Sequence, residues 1–380
     1  MTAAIVVGFA LVALFLPMAS SGEKLVLAAE PKAAWQADWE KTIKAAEEER
    51  ELVIYMTQAF ESIFREAFQK KFSKIKVTAV TGRGPELSQR IMSERRGGKY
   101  MADLYISGNI TPLTVFYRAK ILEPVKPLLV LPEVLDTSGW FEGKHHYDDP
   151  ENRYIFVFEG TPRSGEITYS TKLVNPSEIK SYWDLLNPKW KGKIASVDPL
   201  VAGPISAAQI FFYKHHELGP EYLRRLYAET DMTIVRSNEQ LLDWVSAGKY
   251  AFGIGARQVD TAMSQGLPLN QFLPGSLKEG SSVTAYNGTL SLFNRAPHPS
   301  AAKVAVNWLL SREGQMAWLD SNHKSGGLND SLREDISKEK VSEQARRVKG
   351  TKFLWLNAEW NEELDKIRDI IKKALANKGK

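Results

Sequence analysis

The stretch that decides the fold is "ELVIYMTQAFESIFREAFQKKFSKIKVTAVTG", from Glu51 to Gly82. It begins with an apolar run of strand length, "ELVIYM", and ends with a second, "IKVTAVTG". Between them phenylalanine recurs at every fourth residue, which is the spacing of one helix face. This stripe predicts a helix packed on a sheet, and a structural core rather than a ligand site. Its members are Phe60, Phe64, Phe68 and Phe72.

The following residues continue the alternation. "GPELSQRIMSERR" places Pro85 at a first helical position, and "ADLYISG" is typical of a third strand. Strands that alternate with helices form a parallel sheet covered by helices. A second set, which includes "KIASVDP", "AGPISAAQIFFYKHH" and "YAFGIG", predicts a second α/β unit, and "TLSLFN" predicts a returning strand. We therefore predict an α/β fold with two lobes, each a mostly parallel sheet flanked by helices.

The predicted division of the chain has four parts. Residues 1–29 form a signal peptide, residues 30–163 the first part of lobe 1, residues 164–277 lobe 2, and residues 278–380 a return to lobe 1 with C-terminal helices. Residues 122–153 are rich in proline and turn residues, which predicts a long connection over the surface. Ligands sit at the carboxyl ends of parallel strands, so the predicted site is a cleft between the lobes.

Composition excludes several classes of function. The 380 residues are 43% hydrophobic and 25% charged, which is typical of a globular protein with a sizeable core. The net charge of +5 is mild and spread along the chain, and basic residues form no long run interleaved with aromatics, so we predict no nucleic-acid partner. The chain has no cysteine. This removes disulfides, thiol nucleophiles, cysteine-ligated zinc and iron–sulfur clusters.

The N-terminus predicts export. The run from Ala3 to Leu16 is unbroken and apolar, but shorter than the roughly 20 residues that a membrane span needs. Small residues follow it, which is the pattern of a secretory signal peptide cleaved between Ser20 and Ala29. A retained anchor is the alternative. We expect a periplasmic or otherwise extracytoplasmic protein.

Three motifs resemble one known family. They are "DLLNPKWKGKI" (Asp184–Ile194), "GKYAFGIG" (Gly248–Gly255) and "FNRAPHPSAAKVAVNWLLSREGQ" (Phe293–Gln315). Together they resemble the extracellular solute-binding proteins of bacterial ABC importers, in the branch usually described as ferric-iron binding. The resemblance implies a two-lobe periplasmic binding fold with a two-segment hinge. It also implies a monomer that delivers a small-molecule solute to an inner-membrane permease driven by a cytoplasmic ATPase.

The sequence departs from the iron binders of that family at their metal ligands. Those proteins carry adjacent tyrosines after the strand that matches "FGIG", where this chain has Ala256, Arg257 and Gln258. Their histidine ligand would fall between Thr57 and Phe60, where no histidine stands. A guanidinium repels a metal ion and attracts an anion. We therefore predict an anionic or polar organic solute, with ferric iron, bound together with an anion or as a chelate, as the alternative.

Candidate ligand contacts in the first lobe follow predicted strands. "TGRGPELSQRI" combines a glycine-rich turn with a helix start and a cation, which favours an anion at Gly82, Arg83 and Gly84. An ordinary strand–helix turn with a solvent-facing arginine is the alternative. Thr57 and Gln58 follow the first strand, and helix capping by Thr57 is the alternative there. The third strand is followed by a further pair of candidates, Ser107 and Asn109.

Candidates in the second lobe lie at helix starts and at one strand end. "DPLVAGPIS" places Gly203 and Ser206 at a helix N-terminus. "VRSNEQ" places Arg236 before another helix, with Ser237 or Asn238 as a plain N-cap in the alternative. The strand end itself contributes two more predicted contacts, Arg257 and Gln258.

No catalytic site, cofactor or metal site is predicted. The chain lacks G-x-S-x-G, H-E-x-x-H and thiols, so we expect it not to be an enzyme. A metal-assisted enzyme is an alternative, since "GKHHYDDPE" offers His145, His146, Asp148 and Asp149 to a divalent cation, although such turn residues are usually solvated. A periplasmic sensor for a membrane kinase is another alternative to import.

Overall fold

The computed structural model describes residues 33–201, 203, 205–285, 287–324 and 329–378, so the predicted signal peptide lies outside it. The strands are β1 (Glu51–Met56), β2 (Lys76–Thr81), β3 (Leu104–Ser107), β4 (Leu122–Glu123), β5 (His146–Tyr147), β6 (Phe156–Val157), β7 (Thr161–Arg163), β8 (Ile167–Ser170), β9 (Ile194–Val197), β10 (Thr233–Val235), β11 (Phe252–Ile254), β12 (Leu269–Gln271), β13 (Ser281–Thr284), β14 (Thr289–Phe293) and β15 (Phe353–Trp355).

The α-helices are α1 (Ala34–Glu49), α2 (Gln69–Lys71), α3 (Gly84–Arg96), α4 (Pro132–Leu135), α5 (Ile205–Lys214), α6 (Gly219–Glu229), α7 (Asn238–Ser246), α8 (Val259–Ser264), α9 (Pro299–Leu310), α10 (Arg312–Lys324) and α11 (Leu364–Ala376). Two segments are π-helical, Ile63–Phe68 and Pro112–Tyr117. Short 3₁₀ turns lie at Gln58–Phe60, Lys126–Leu128, Thr137–Gly139, Phe141–Gly143, Pro176–Glu178, Tyr182–Leu186, Pro188–Trp190 and Ala358–Glu363. No helix in the described part of the chain is long and apolar enough to cross a bilayer.

The strand–helix–strand prediction for Glu51–Gly82 is confirmed. Strand β1 lies parallel to β2 along its full length and parallel to β3 on its other side. All four phenylalanines of the stripe are buried in the first hydrophobic core. The ring centroids of Phe64 and Phe68 are 5.7 Å apart, and that of Phe68 is 5.3 Å from that of Trp308 on α9. The stripe is therefore core, as its spacing predicts.

Both large sheets are mixed rather than mostly parallel. The first has the order β2-β1-β3-β14-β6-β5, with β4 also on β14, and the second has the order β10-β9-β11-β8-β12. In each, a parallel core of three strands is extended by antiparallel strands. The direction of the added strands follows from the point at which the chain enters each sheet. Thr289 of β14 pairs with Ser107 at the end of β3, and Ile167 of β8 pairs with Ile254 at the end of β11. A strand that enters at the carboxyl edge must run the opposite way.

The chain crosses between the two sheets three times. Strands β7 and β13 are the two predicted crossings, and β15 joins them in a third, small sheet of order β15-β13-β7. The third crossing leads to α11, which packs on α5 and α6 of the second lobe, and not on lobe 1 as predicted for residues 278–380. Its apolar stripe of Ile367, Ile371 and Ala374 is buried in the second core. The other domain boundaries remain predictions.

Residues 122–153 are not a surface connection. Val134 and Trp140 are fully buried in the first core, and His146 is 7% exposed. The buried Arg333 guanidinium lies 5.1 Å from the Trp140 ring and pairs with Asp335 at 2.7 Å. Because the apolar residues of this segment follow no regular period, the sequence pattern gives no sign of their burial.

Candidate functional site

A cavity of about 840 Å³ opens between the two sheets. The first lobe contributes Asn109 and Ile110, and the second contributes the starts of α5, α7 and α8. The crossing strands and the segment after β15 also contribute, and the described wall is completed by Glu166, Gln271 and Asn329. This volume is within the range of small-molecule sites. The predicted contacts that line it are Asn109, Gly203, Ser206, Arg257 and Gln258.

The loop between β11 and α8 holds Arg257 at the mouth of the cavity. Gly255 has a φ of +83°, and a Cβ there would lie 2.7 Å from the side chain of Val197, so only glycine fits. The backbone N–H of Arg257 donates to Asn238 Oδ1 at 2.6 Å, and Asn238 Nδ2 donates to the Arg257 carbonyl at 3.2 Å. Gln258 has a left-handed backbone with φ of 55°. One amide side chain therefore fixes the loop that presents the arginine.

Of the other second-lobe candidates, Ser206 lines the cavity and Arg236 does not. Ser206 lies at the start of α5, where its Oγ accepts a 3.4 Å hydrogen bond from the N–H of Gly203. Ser237 caps α7 by accepting from the N–H of Gln240, so the plain N-cap alternative is the one observed. Arg236 is not part of the cavity wall, and its N–H donates to Gln240 Oε1 at 3.0 Å.

The predicted anion site around Arg83 does not form part of the cavity. The Arg83 side chain is exposed, and its backbone N–H donates to Glu86 Oε2 at 3.1 Å. A carboxylate of the chain itself therefore occupies the donor that an anion would use. A Cβ at Gly84 would lie 2.4 Å from Thr111 Oγ1, so this glycine serves packing. The alternative given for this segment, an ordinary strand–helix turn with a solvent-facing arginine, is the one observed.

The remaining first-lobe candidates support the sheet. The Ser107 carbonyl accepts a 2.7 Å hydrogen bond from Thr289 Oγ1, and Ser107 is 3% exposed. The N–H of Thr57 donates to the Ile106 carbonyl at 3.1 Å, and Gln58 donates to Glu61. None of these three lines the cavity.

The crossing segments bring residues that sequence reasoning missed. Arg163, at the end of β7, lies 3.7 Å from Glu166 through Nε and Oε1, and both line the cavity. Burial raises the pKa of Glu166, and the charge of Arg163 opposes that rise. Glu239 and Asp260 add two more carboxyl groups, so the described wall carries two arginines and three acids. No sequence motif marks these residues as site residues. Arg163 and Glu166 are close in the chain, but only the tertiary fold brings them to one cavity with Glu239 and Asp260.

A buried carboxyl lies behind the wall. Glu159 is fully buried, and its Oε1 accepts a 2.8 Å hydrogen bond from Thr161 and a second from Asn329, which lines the cavity. Burial raises the Glu159 pKa to about 7. A Cβ at Gly288 would lie 2.1 Å from the Cβ of Glu159, so the glycine allows this close approach.

The histidine and aspartate segment is structural. Burial lowers the pKa of His146 to about 4, so the imidazole is neutral, and it stacks on Trp355 with centroids 4.7 Å apart. Asp149 accepts hydrogen bonds from the backbone N–H groups of residues 153–155. Asp148 accepts from the N–H of Ala358 at 3.1 Å. In the described ranges, no group of three or more histidine or acidic side chains is arranged to hold a metal ion.

Comparisons with known proteins agree with this architecture. The Fe(3+)-binding periplasmic protein of Serratia marcescens is 22% identical over 285 residues, which cover 72% of this chain and 77% of that protein. One curated relative is matched over only 29% of its own length. The Bordetella ferric binding protein is 18% identical with a TM-score of 0.64, over 85% of this chain and 98% of that one.

A third similar protein is the periplasmic binding protein AfuA of Actinobacillus pleuropneumoniae, solved with fructose-6-phosphate bound. It is 19% identical with a TM-score of 0.54, over 86% of this chain and 98% of that one. The family model for bacterial extracellular solute-binding proteins matches residues 54–316. The predicted two-lobe fold and the predicted family are confirmed, and this chain belongs to the bacterial extracellular solute-binding proteins.

Proposed function

We propose that this chain is the solute receptor of an ABC importer and that it captures a hydroxyl-rich organic solute carrying an anionic group. The observation that carries the proposal is the amide-rich wall of the cavity. Amide side chains both donate and accept hydrogen bonds, which suits hydroxyl groups. The amides in the wall are Asn109, Asn238, Gln258, Gln271, Asn329, Asn357 and Asn361.

Charge narrows the class of solute. Arg163 lies beside Glu166, whereas the exposed Arg257 stands at the mouth, where it can form a charge-assisted pair with an anion. Three acids against two arginines leave the described wall without net positive charge, which disfavours small polyanions. The predicted preference for anions therefore narrows to one anionic group, bound at Arg257, on a body that the amides recognise.

The crossing strands suit a receptor that closes on its ligand. The cavity wall combines both lobes with β7 and β13, so the lobes close on the solute by bending at these strands. The closed form is what the permease recognises. We propose that the receptor acts as an exported monomer after removal of its signal peptide, that it binds no cofactor, and that it catalyses no reaction.

Ferric iron is the second candidate, favoured by the names of two relatives. The Serratia and Bordetella proteins are named as ferric-binding proteins, while the AfuA structure holds a sugar phosphate. In this chain Ala256, Arg257 and Gln258 stand where the iron binders of the family carry tyrosines. The guanidinium at this place favours an organic anion or an iron chelate over the bare ion.

Ligand-dependent thermal stabilisation tests the proposal. The purified protein is screened against fructose 6-phosphate, gluconate, fructose, inorganic phosphate, and Fe(III) with and without citrate. A ligand at 100 times its Kd adds about 2.7 kcal/mol of stability. We expect stabilisation by anionic polyols and little effect from fructose or phosphate alone. Tight binding of Fe(III) without an anion would overturn the proposal.

A matched pair of arginine variants tests whether the ligand binds at Arg257. Loss of a hydrogen bond to a charged group costs about 2 kcal/mol, so Arg257→Ala should weaken binding of the anionic polyol about 30-fold. Arg83→Ala removes an exposed arginine that does not line the cavity, and should leave affinity unchanged. Equal affinities of the two variants, measured by calorimetry, would contradict the role of Arg257.

A further inference from the structure

A second cavity, of about 630 Å³, lies outside the interlobe site. One wall is formed by side chains between residues 126 and 152, and the other by Trp355 and Asn357. Among the described lining residues, Asn357 is the one that both cavities share. The second cavity therefore lies beside the third crossing segment, and Asn357, in the segment after β15, contacts both cavities.

An aromatic stack forms one side of this cavity. The Trp355 ring lies 4.7 Å from that of His146 at an interplanar angle of 29°, and His146 stacks in turn on Phe141 at 5.5 Å. Trp355 is partly exposed and lines the cavity, as does His146. Burial holds the imidazole neutral by lowering its pKa. The stack therefore offers an uncharged face to a flat ring.

A buried hydroxyl lacks a partner at this site. Tyr147 lines the cavity, and its hydroxyl oxygen is buried without a hydrogen bond to any described residue. Burial raises the pKa of Tyr147 to about 12, so the hydroxyl keeps its proton at neutral pH. Buried polar groups normally have partners, so a ligand acceptor that displaces the atoms covering this oxygen would satisfy the donor.

Charge at the rim favours a monoanion. Two lysines line the cavity, and Lys144 is paired with Glu142 at 2.8 Å. Lys126 has no carboxylate partner among the residues that the structure describes.

We infer that this cavity binds a flat aromatic carboxylate, with its ring on Trp355, its carboxylate at Lys126 and a polar substituent at the Tyr147 hydroxyl. This site goes beyond the capture of solute between the lobes. Trp355 belongs to β15, which pairs with crossing strand β13, and Asn357 lines both cavities.

Calorimetry with 6-hydroxy-2-naphthoate tests the inference. Its neutral analogue, 6-hydroxy-2-naphthamide, keeps the ring and the hydroxyl group. Lys126→Gln should weaken binding of the naphthoate at least tenfold and leave the naphthamide unchanged, whereas Tyr147→Phe should weaken both several-fold. Lys99→Gln, at an exposed lysine outside both cavities, is the matched control. Trp355→Leu should abolish binding, and if this variant does not fold the two conservative variants still decide.

Three results would overturn the inference. The first is the absence of naphthoate binding to the wild-type protein at millimolar concentration. The second is equal affinity of Lys126→Gln and Lys99→Gln. The third is loss of naphthoate binding in Arg257→Ala, because that result would place the probe between the lobes. Retained binding in Arg257→Ala, with the losses above, supports the second site and is independent of which solute the interlobe cavity takes.

Discussion

The buried carboxyl of Glu159 contributes to the pH dependence of the stability of this protein, and Glu159→Gln should remove that contribution. Burial raises the pKa of Glu159 from 4.5 to about 7. Between these values the unfolded chain loses the proton while the folded chain keeps it. The stabilisation is therefore fully present below pH 4.5 and is lost as pH rises towards 7. A glutamine retains the neutral form at every pH.

The size of this change in stability follows from the shift in the pKa of Glu159. Each pKa unit corresponds to 1.36 kcal/mol, so the rise to about 7 is worth about 3 kcal/mol between pH 4.5 and pH 7.5. Since Glu159 is fully buried, solvent screening does not reduce this value. Asp148, whose pKa burial raises from 3.8 to about 6, contributes in the same direction. That contribution is common to the wild type and the variant and cancels in their difference.

Urea unfolding at several pH values measures the effect. The free energy of unfolding of Glu159→Gln, relative to that of the wild type, should increase by about 3 kcal/mol from pH 4.5 to pH 7.5. The matched control is Glu48→Gln, at an exposed position on α1, whose difference from the wild type should stay constant. A pH-independent difference for Glu159→Gln would refute the reasoning, because it would mean that Glu159 titrates alike in the folded and unfolded states.

Three further substitutions test the loop and the third crossing. Gly255→Ala, which brings a Cβ within 2.7 Å of Val197 at a φ of +83°, should destabilise the protein by about 2 kcal/mol in urea unfolding; an unchanged midpoint would contradict the close approach. Asn238→Ala frees the loop of Arg257 and should weaken binding of the anionic polyol several-fold in calorimetry, with full affinity as the contrary result. Ile371→Ala on α11 should cost about 3 kcal/mol, and a cost below 1 kcal/mol would show that α11 does not pack on lobe 2.

Local pattern accounts for the elements that begin each lobe. The alternation in Glu51–Gly82 and the aromatic stripe predict β1, the helix and β2, because burial of one face leaves a period in the sequence. Strand ends also lead to Asn109 and Arg257, and a helix start leads to Ser206; all three line the cavity. It places Arg83 wrongly, because the sequence does not reveal that Glu86 occupies the helix start.

What the amino-acid sequence determined by itself is the family, the two α/β units and the glycine-bounded loop that carries Arg257, since each depends on residues close together in the chain. Tertiary structure alone decided the third crossing, the position of α11 on lobe 2, and the placement of Arg163 and Glu166 in the cavity wall. Periodicity reports that a face is buried, but not which distant face covers it. The site is built where distant segments meet, and that meeting is set by strand pairing and core packing across the whole chain.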